Sequence, residues 1–320
     1  MKELDLDVGG SAEVLRRLEL TITRRLDGLL HGDHRGLVPG HGSEPGEARV
    51  YQPGDDVRRI DWNVTARTQT LHVRDTVADR ELETWLLVDL SASLEFGTAL
   101  TTKRSLALAA TAAVGFLTAR GGNRLGAVLA AGGTTPATIV PAKGGRDHLR
   151  AILHRVVTAE ITDGAGAADL PAALTRLDRA MRRRGLAVIV SDWLDDDPAA
   201  AVPTFAHPLR RLAMRHDVLC VELVDPRELE LPDVGVLEVI DPETGRSRDV
   251  NTGDARLRTR YAKAAEARRA AVAAALRSAG ADHLVLRTDR DWLADLVAFV
   301  ATRRDRAAAI ARSTGIGAHR

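Results

Sequence analysis

The sequence predicts an α/β fold built on a doubly wound, mainly parallel sheet, and three observations carry that prediction. From about Thr84 onward, strand-like and helix-like patterns alternate along the chain. The runs TWLLVDL (84–90), LAVIVSDW (186–193) and DVLCVELVD (217–225) are largely unbroken apolar stretches, as strands buried on both faces are. The first two run into Asp89 and Asp192, which places these carboxylates at the carboxyl ends of strands. Open α/β sheets bind ligands there, at the point where the strand order reverses.

Taken in order, the elements begin with a helical pattern from Ala12 to Leu30, followed by the Gly- and His-rich loop HGDHRGLVPGHGSEPG. The polar, Pro/Gly-punctuated run after it has little apolar periodicity. After the strand at 84–90, Thr102 to Arg120 reads as an Ala-rich helix closed by Gly121-Gly122. RLGAVLA (124–130) and ATIVPA (137–142) read as two strands joined through Gly132-Gly133. Arg146 to Thr158 spaces Leu149, Ile152, Leu153 and Val156 as a helix does, and the loop TDGAGAAD follows. Leu170 to Arg184 is a second amphipathic helix ahead of the strand at 186–193, and Ala199 to His216 a third ahead of the strand at 217–225.

VLEVIDPETGRSRDV (236–250) reads as a hairpin around Asp241-Pro242-Glu243-Thr244-Gly245. A long Ala/Arg helix (Ala255 to Ser278), a strand DHLVLRT (282–288) and a helix from Trp292 to about Arg304 complete the pattern. The expected organisation is therefore an N-terminal segment (1–83) packed on the core, an α/β domain (84–306) with the hairpin inserted near 236–250, and a tail (307–320).

Composition narrows the function classes. Lys and Arg total 45 against 44 Asp and Glu, a net charge of +1, which gives no argument for nucleic acid or an anionic membrane. The basic runs Arg182-Arg183-Arg184 and Arg210-Arg211 read as solvated helix faces. The charge-free stretch Ser105 to Ala119 is too short and too rich in Thr and Ala to span a bilayer, and the acidic start MKELDLDVGG lacks a signal-peptide core. The single cysteine, Cys220, lies in an apolar run and reads as a core thiol of a reducing compartment. The expectation is a cytoplasmic protein with no membrane span and no nucleic-acid partner.

The most informative motif is LLVDLSASLEF (86–96), which contains D-x-S-x-S as Asp89, Ser91 and Ser93. In extended chain, residues i, i+2 and i+4 project the same way, so one carboxylate and two hydroxyls converge. Hard oxygens so arranged suit Mg²⁺, whose octahedral shell keeps waters and open positions. The same residues would also turn the chain and cap the following helix. Both readings stand at this point.

Upstream, YQPGDDVRRIDWNVTARTQTLHVRD (51–75) gathers Asp55, Asp56, Arg58, Arg59, Asp61, Arg67, His72, Arg74 and Asp75. Clustered Arg and carboxylates could hold phosphate and metal. The favoured reading is structural: Gly54-Asp55 as a turn, Arg58/Asp61 and Arg67/Asp75 as ion pairs fixing orientation, and Trp62 as a packing anchor. His31, His34 and His41 share one loop but lack a zinc spacing. No phosphate-binding G-x-x-x-x-G-K-[ST] loop, no G-x-G-x-x-G after the first strand and no G-x-S-x-G elbow is found. Ser91 stands where an aspartyl-phosphate hydrolase would carry a second Asp.

This upstream block resembles the bacterial DUF58 proteins, relatives of von Willebrand factor A domains. The resemblance rests on Tyr51, Pro53-Gly54-Asp55-Asp56, Arg58-Arg59-Ile60-Asp61-Trp62, Ala66-Arg67 and Leu71-His72-Val73-Arg74, followed at once by LLVDLSASL. VIVSDW (188–193), LPDVGVLEVIDPETG (231–245) and LRTD (286–289) extend it over most of the chain. It implies a Rossmann-like A-domain core whose metal-ion-dependent adhesion site takes D-x-S-x-S, a middle-loop Thr and an Asp after the fourth strand. Asp89, Ser91, Ser93 and Asp192 match that site. Ala167-Ala168-Asp169-Leu170 stands where the family often has Gly-Thr-Asp-Leu, so Ala168 replaces the threonine unless the loop shifts to bring in Thr162. The resemblance also implies a MoxR-type AAA+ ATPase as partner, in chaperone-like assembly of a client protein.

Three functional classes follow. One is a non-catalytic interaction module with Mg²⁺ at Asp89, Ser91, Ser93 and Asp192. The second is a Mg²⁺-dependent hydrolase, a phosphoesterase with Arg67 or Arg74 on the anion, for which a general base near the metal has no clear candidate. The third is a scaffold with a vestigial site. The interaction module is the favoured expectation.

Overall fold

The computed structural model describes residues 11–29, 48–51, 57, 60–74, 83–120, 123–133, 135–161, 164, 166–194 and 202–315. The predicted α/β architecture is present. The elements of the core are β3 (Glu83–Leu90), α3 (Lys103–Arg120), β4 (Arg124–Ala131), β5 (Thr138–Lys143), α4 (Arg146–Val157), α5 (Leu170–Ala180), β6 (Gly185–Ser191), α6 (Ala206–Ala213), β7 (Asp217–Val224), α7 (Ala255–Ser278), β10 (Asp282–Arg287) and α8 (Trp292–Gly315). Ahead of them lie α1 (Ser11–Leu29), β1 (Ala48–Val50), α2 (Trp62–Thr68) and β2 (His72–Arg74), and β8 (Val236–Ile240) and β9 (Ser247–Asn251) form the inserted hairpin.

The central sheet runs β10-β7-β6-β3-β4-β5. Every neighbouring pair is parallel except β4 with the edge strand β5. Counted within the sheet alone, this is the doubly wound order 3-2-1-4-5-6, in which the direction of winding reverses between the first and fourth strands. Those strands are β3 and β6, paired from Glu83–Gly185 to Val88–Val190. Asp89 and Asp192 lie buried at their carboxyl ends.

Burial explains why these strands read as apolar runs: every residue of β3 and β6 is buried. Alternate residues feed opposite cores. Leu86, Val88 and Leu90 pack with α1, α3, α4 and α8, while Trp85 and Leu87 pack with α5, α6 and α7. α1 joins the first core through Val14, Leu18 and Ile22, one stripe at four-residue spacing. Each such side chain contributes roughly 1.5–3 kcal/mol on burial. Cys220 is buried and unpaired within the second core, where burial pushes its thiol well up.

Some elements differ from expectation. α5 stops at Ala180, because Met181 turns extended and the exposed Arg182–Arg184 lead directly into β6. α6 covers Ala206–Ala213 only, behind Pro203, and α8 continues past Arg304 to Gly315. The edge strand β5 contains Pro141 and ends on Lys143, and its register with β4 shifts between Leu125 and Ala127. No helix among the described residues is long and apolar enough to cross a membrane.

In the upstream block, β1 and β2 pair antiparallel, and Tyr51 N donates to Leu71 O at 2.8 Å. Asp61 is the N-cap of α2: its Oδ1 accepts from Asn63 N at 3.0 Å and Val64 N at 3.2 Å. Its backbone N–H donates to His72 O at 2.8 Å, tying the cap to β2. Trp62 corrects one expectation: it is 67% exposed at the first position of α2 and anchors no packing. Arg67 is exposed and its Nε donates to Asn63 O at 3.2 Å within the same helix. Gly54, Asp55, Asp56, Arg58, Arg59 and Asp75, and with them the proposed Arg58/Asp61 and Arg67/Asp75 pairs, lie outside the described residues. So do His31, His34, His41, Thr162 and the side chain of Arg74, whose backbone ends β2.

Asp61→Ala is expected to lower stability by about 1 kcal/mol, the worth of a lost N-cap, whereas Trp62→Ala should stay within about 0.5 kcal/mol of wild type. Urea denaturation of the two variants beside wild type measures both.

Candidate functional site

The carboxyl end of β3 delivers Asp89 into a fully buried position, and the chain turns there into a short 3₁₀ segment, Ala92–Glu95. Asp89 Oδ1 accepts from Ser91 N at 2.9 Å and from Ser91 Oγ at 2.7 Å. Ser91 Oγ lies 3.1 Å from Ser93 Oγ. D-x-S-x-S therefore does converge, with all three side chains buried. Asp89 Oδ2 accepts from Ser191 Oγ at 2.7 Å, and Ser191 in turn accepts from Trp193 N at 3.0 Å. Ser191, the last residue of β6, was not singled out in the sequence, although it stands beside Asp192 in the same motif.

Asp192 is held in place by an unusual backbone turn. Trp193 adopts φ +58°, a left-handed conformation that bulky residues enter only when their surroundings enforce it. The enforcing contacts are its buried indole, edge-on to Phe205 at 4.8 Å between ring centroids, and its Nε1 donating to Val221 O at 3.4 Å. The carboxylate thus positioned does not stand free. Asp192 Oδ2 accepts from Lys103 Nζ at 2.6 Å, and Lys103, the first residue of α3, is fully buried.

The same ammonium donates to Glu228 Oε1. Glu228 Oε2 accepts from Asp225 N at 3.0 Å, closing a capping box at the end of β7. Asp225 collects Thr98 Oγ1 at 2.6 Å, Thr98 N at 2.8 Å and Thr288 Oγ1 at 2.7 Å. A continuous polar chain therefore runs along the carboxyl ends of β6, β7 and β10.

The hairpin closes the other side. Its turn is fixed by Asp241, whose Oδ1 accepts from Glu243 N at 3.0 Å and whose Oδ2 accepts from Thr244 Oγ1 at 2.6 Å. The turn docks on the middle loop, where Gly164 N donates to Pro242 O at 3.0 Å and Gly166 N to Glu243 O at 2.9 Å. Glu243 Oε1 accepts from Ser93 N at 3.0 Å, while its Oε2 is buried and accepts no hydrogen bond among the described residues. Ala168, at the position of the expected threonine, is buried and bridges to Gly132, and the neighbouring Asp169 caps α5 through Ala172 N at 2.9 Å.

Burial dominates the electrostatics. It raises the Asp89 carboxyl to about 6, aided by repulsion from Asp192 and opposed by the hydrogen bonds from Ser91 and Ser191. For Lys103, burial alone would push the ammonium down, and Asp192 and Glu228 together reverse it to leave it raised. Burial likewise keeps Glu228 raised in spite of Lys103. Asp225 ends lowered, because the bonds from Thr98, Thr288 and two backbone amides outweigh its burial.

Among the described residues, no three His, Cys, Asp or Glu side chains group into a metal cluster. The oxygens that could hold a cation are one carboxylate and two hydroxyls. The 2.7 Å and 3.1 Å separations across Ser91 are hydrogen-bond distances that draw these oxygens together. Carboxylate and hydroxyl oxygens are the donor type a hard cation takes, and Asp192 is committed to the lysine. Lys103, Glu228 and Glu243 were not legible as site residues. The one signal for Lys103 was local: it opens an otherwise nearly charge-free helix.

Comparison with known proteins gives three results. The family described as "Protein of unknown function DUF58" matches residues 47–271. The uncharacterized protein Rv1480 of Mycobacterium tuberculosis is 54% identical over 300 residues, 94% of this chain and 92% of that protein. Among solved structures, the conserved hypothetical protein BatB of Bacteroides thetaiotaomicron is similar at 12% identity and a TM-score of 0.41, over 70% of this chain and 99% of that one.

Two measurements probe the buried charges. A carboxyl whose native pKa lies above its unfolded value binds more protons folded than unfolded. The Asp89 contribution is therefore fully present below about pH 4 and lost as pH rises through about 6. Across that window wild type should lose roughly 3 kcal/mol relative to Asp89→Asn, read from urea melts at several pH values. Lys103→Met strands Asp192 and Glu228 and should cost about 3–5 kcal/mol at neutral pH. A smaller loss would mean that the ammonium is not what holds these carboxylates.

Proposed function

Because the chain belongs to the DUF58 family, we propose that it is a non-catalytic protein-interaction module, an adaptor that docks a partner over the carboxyl end of its sheet with the help of a divalent cation. The observation that carries this reading is the buried, hydrogen-bonded Asp89–Ser91–Ser93 triad at the switch point of a doubly wound sheet. Mg²⁺ held there would supply a Lewis-acidic position that a partner's carboxylate can fill. The chain's own residues do the rest: Asp89 gives the charge, the two serines give neutral oxygens, and Ser191 orients Asp89 from the far side. With Ala168 in place of a threonine, water would complete the shell.

The partner proposed is the one the family resemblance implies, a MoxR-type AAA+ ATPase, with the pair acting on a client protein in the cytoplasm. A scaffold without metal is the second reading. The Lys103–Asp192 pair favours it, because the ammonium already supplies positive charge to one of the two carboxylates.

Two tests bear on the proposal. Mg²⁺ or Mn²⁺ is expected to raise the melting temperature of wild type and to leave Asp89→Ala unmoved. Since the cation must displace the Asp89 proton, its apparent Kd should rise about tenfold per pH unit below pH 6. Affinity capture from an extract of the source organism, with wild type and Asp89→Ala each in Mg²⁺ and in EDTA, tests the partner. An AAA+ ATPase retained by wild type in Mg²⁺ alone is the expected result. Equal retention in every arm would leave an adaptor without a metal, and no ATPase in any arm would end the assignment.

A further inference from the structure

Glu243 reaches the D-x-S-x-S loop from 150 residues away in sequence. The hairpin that carries it is otherwise exposed along β8, so Glu243 is not simply drawn into a general apolar interface. Its turn is stiffened by Asp241 and Thr244 and bolted to the middle loop by two backbone hydrogen bonds. One carboxylate oxygen is anchored on Ser93 N, beside the hydroxyl of the same serine. The other is buried without a donor, and an unsatisfied buried acceptor is costly, more so when charged. The turn thus brings a fixed carboxylate to the D-x-S-x-S loop, one oxygen on Ser93 N and the other buried with no hydrogen bond among the described residues.

We propose that Glu243 is a built-in ligand of this site: the tip of the β8–β9 hairpin supplies a second carboxylate to a divalent cation held by Asp89, Ser91 and Ser93, and occupies the position a partner's acidic side chain would take. The inference rests on the cation reading above and adds to it a ligand from an inserted element together with a closed ground state. Asp192, neutralised by Lys103, is then not needed as the second charge. A partner engages by exchanging its own carboxylate for that of Glu243, which requires the hairpin tip to lift from Gly164 and Gly166.

Mn²⁺ serves as the probe. Its affinity is read by the loss of free-ion EPR signal, and its bound waters by proton relaxation, in wild type, Glu243→Gln, Glu243→Ala and Asp89→Asn at pH 7.5. The expected result is binding to wild type, abolished in Asp89→Asn and weakened about tenfold or more in both Glu243 variants. Glu243→Ala should also gain a bound water that acetate displaces, while acetate leaves wild type unchanged. If Mn²⁺ binds all but Asp89→Asn with equal affinity and hydration, Glu243 is no ligand and the proposal falls while the cation reading stands. If no protein binds Mn²⁺ in a manner that Asp89→Asn removes, the cation reading itself is overturned, and this proposal with it.

Discussion

Lys103 is fully buried, and burying an ammonium group costs several kcal/mol that must be returned by well-placed partners. Asp192 and Glu228 return it, and in doing so they join elements far apart in the chain: the start of α3, the turn after β6 and the capping box after β7. The polar ends of these strands have few other ways to be satisfied away from water. Without the ammonium, the buried Asp192 would be left beside the part-buried Glu228 and near Asp89 with no cation among them. With it, Asp192 is held on the lysine and Asp89 is left to the serines. The architecture of the switch point follows from this one charge.

A division of labour results. Buried carboxylates at the end of an α/β sheet are mutually destabilising unless cations separate them, and here the protein carries one cation permanently. Asp89, raised by its burial and by repulsion from Asp192, is the carboxyl whose only partners among the described residues are hydroxyls and a backbone amide. The Asp89 pKa of about 6 places its protonation change within the ordinary pH range. Such a group responds to its surroundings, whereas Asp192, tied to the lysine, is a fixed part of the frame.

The fold was legible because its determinants are local. β3, β6 and β7 are buried on both faces and so appear as apolar runs, and the helix expected at roughly Ala255 to Ser278 is α7. Helix ends were less readable where capping depends on tertiary contacts, as at Met181, or where prolines precede a short helix, as at α6. D-x-S-x-S converges because spacing along one strand end dictates it. Lys103, Glu228 and Glu243 were hidden for the opposite reason. Their contacts span 89, 125 and 150 residues, and neither residue type nor local pattern marks a side chain that acquires its role only when distant segments meet. Trp62 shows the converse error, since an aromatic residue in a specific motif invites a packing role that its exposed position does not provide.

The edge strand β5 bears on how copies of the molecule can meet. A sheet edge offers its unpaired amides as a template for another strand, the usual route to chain-on-chain polymers. Pro141 removes a donor from that row, the shift opposite Leu125 and Ala127 bends it, and Lys143 sets a charge at its end. A strand arriving from a neighbour finds an interrupted ladder and a desolvation cost. The same irregularities that look like flaws in the pairing of β4 and β5 therefore make this border of the sheet a poor template for a further strand.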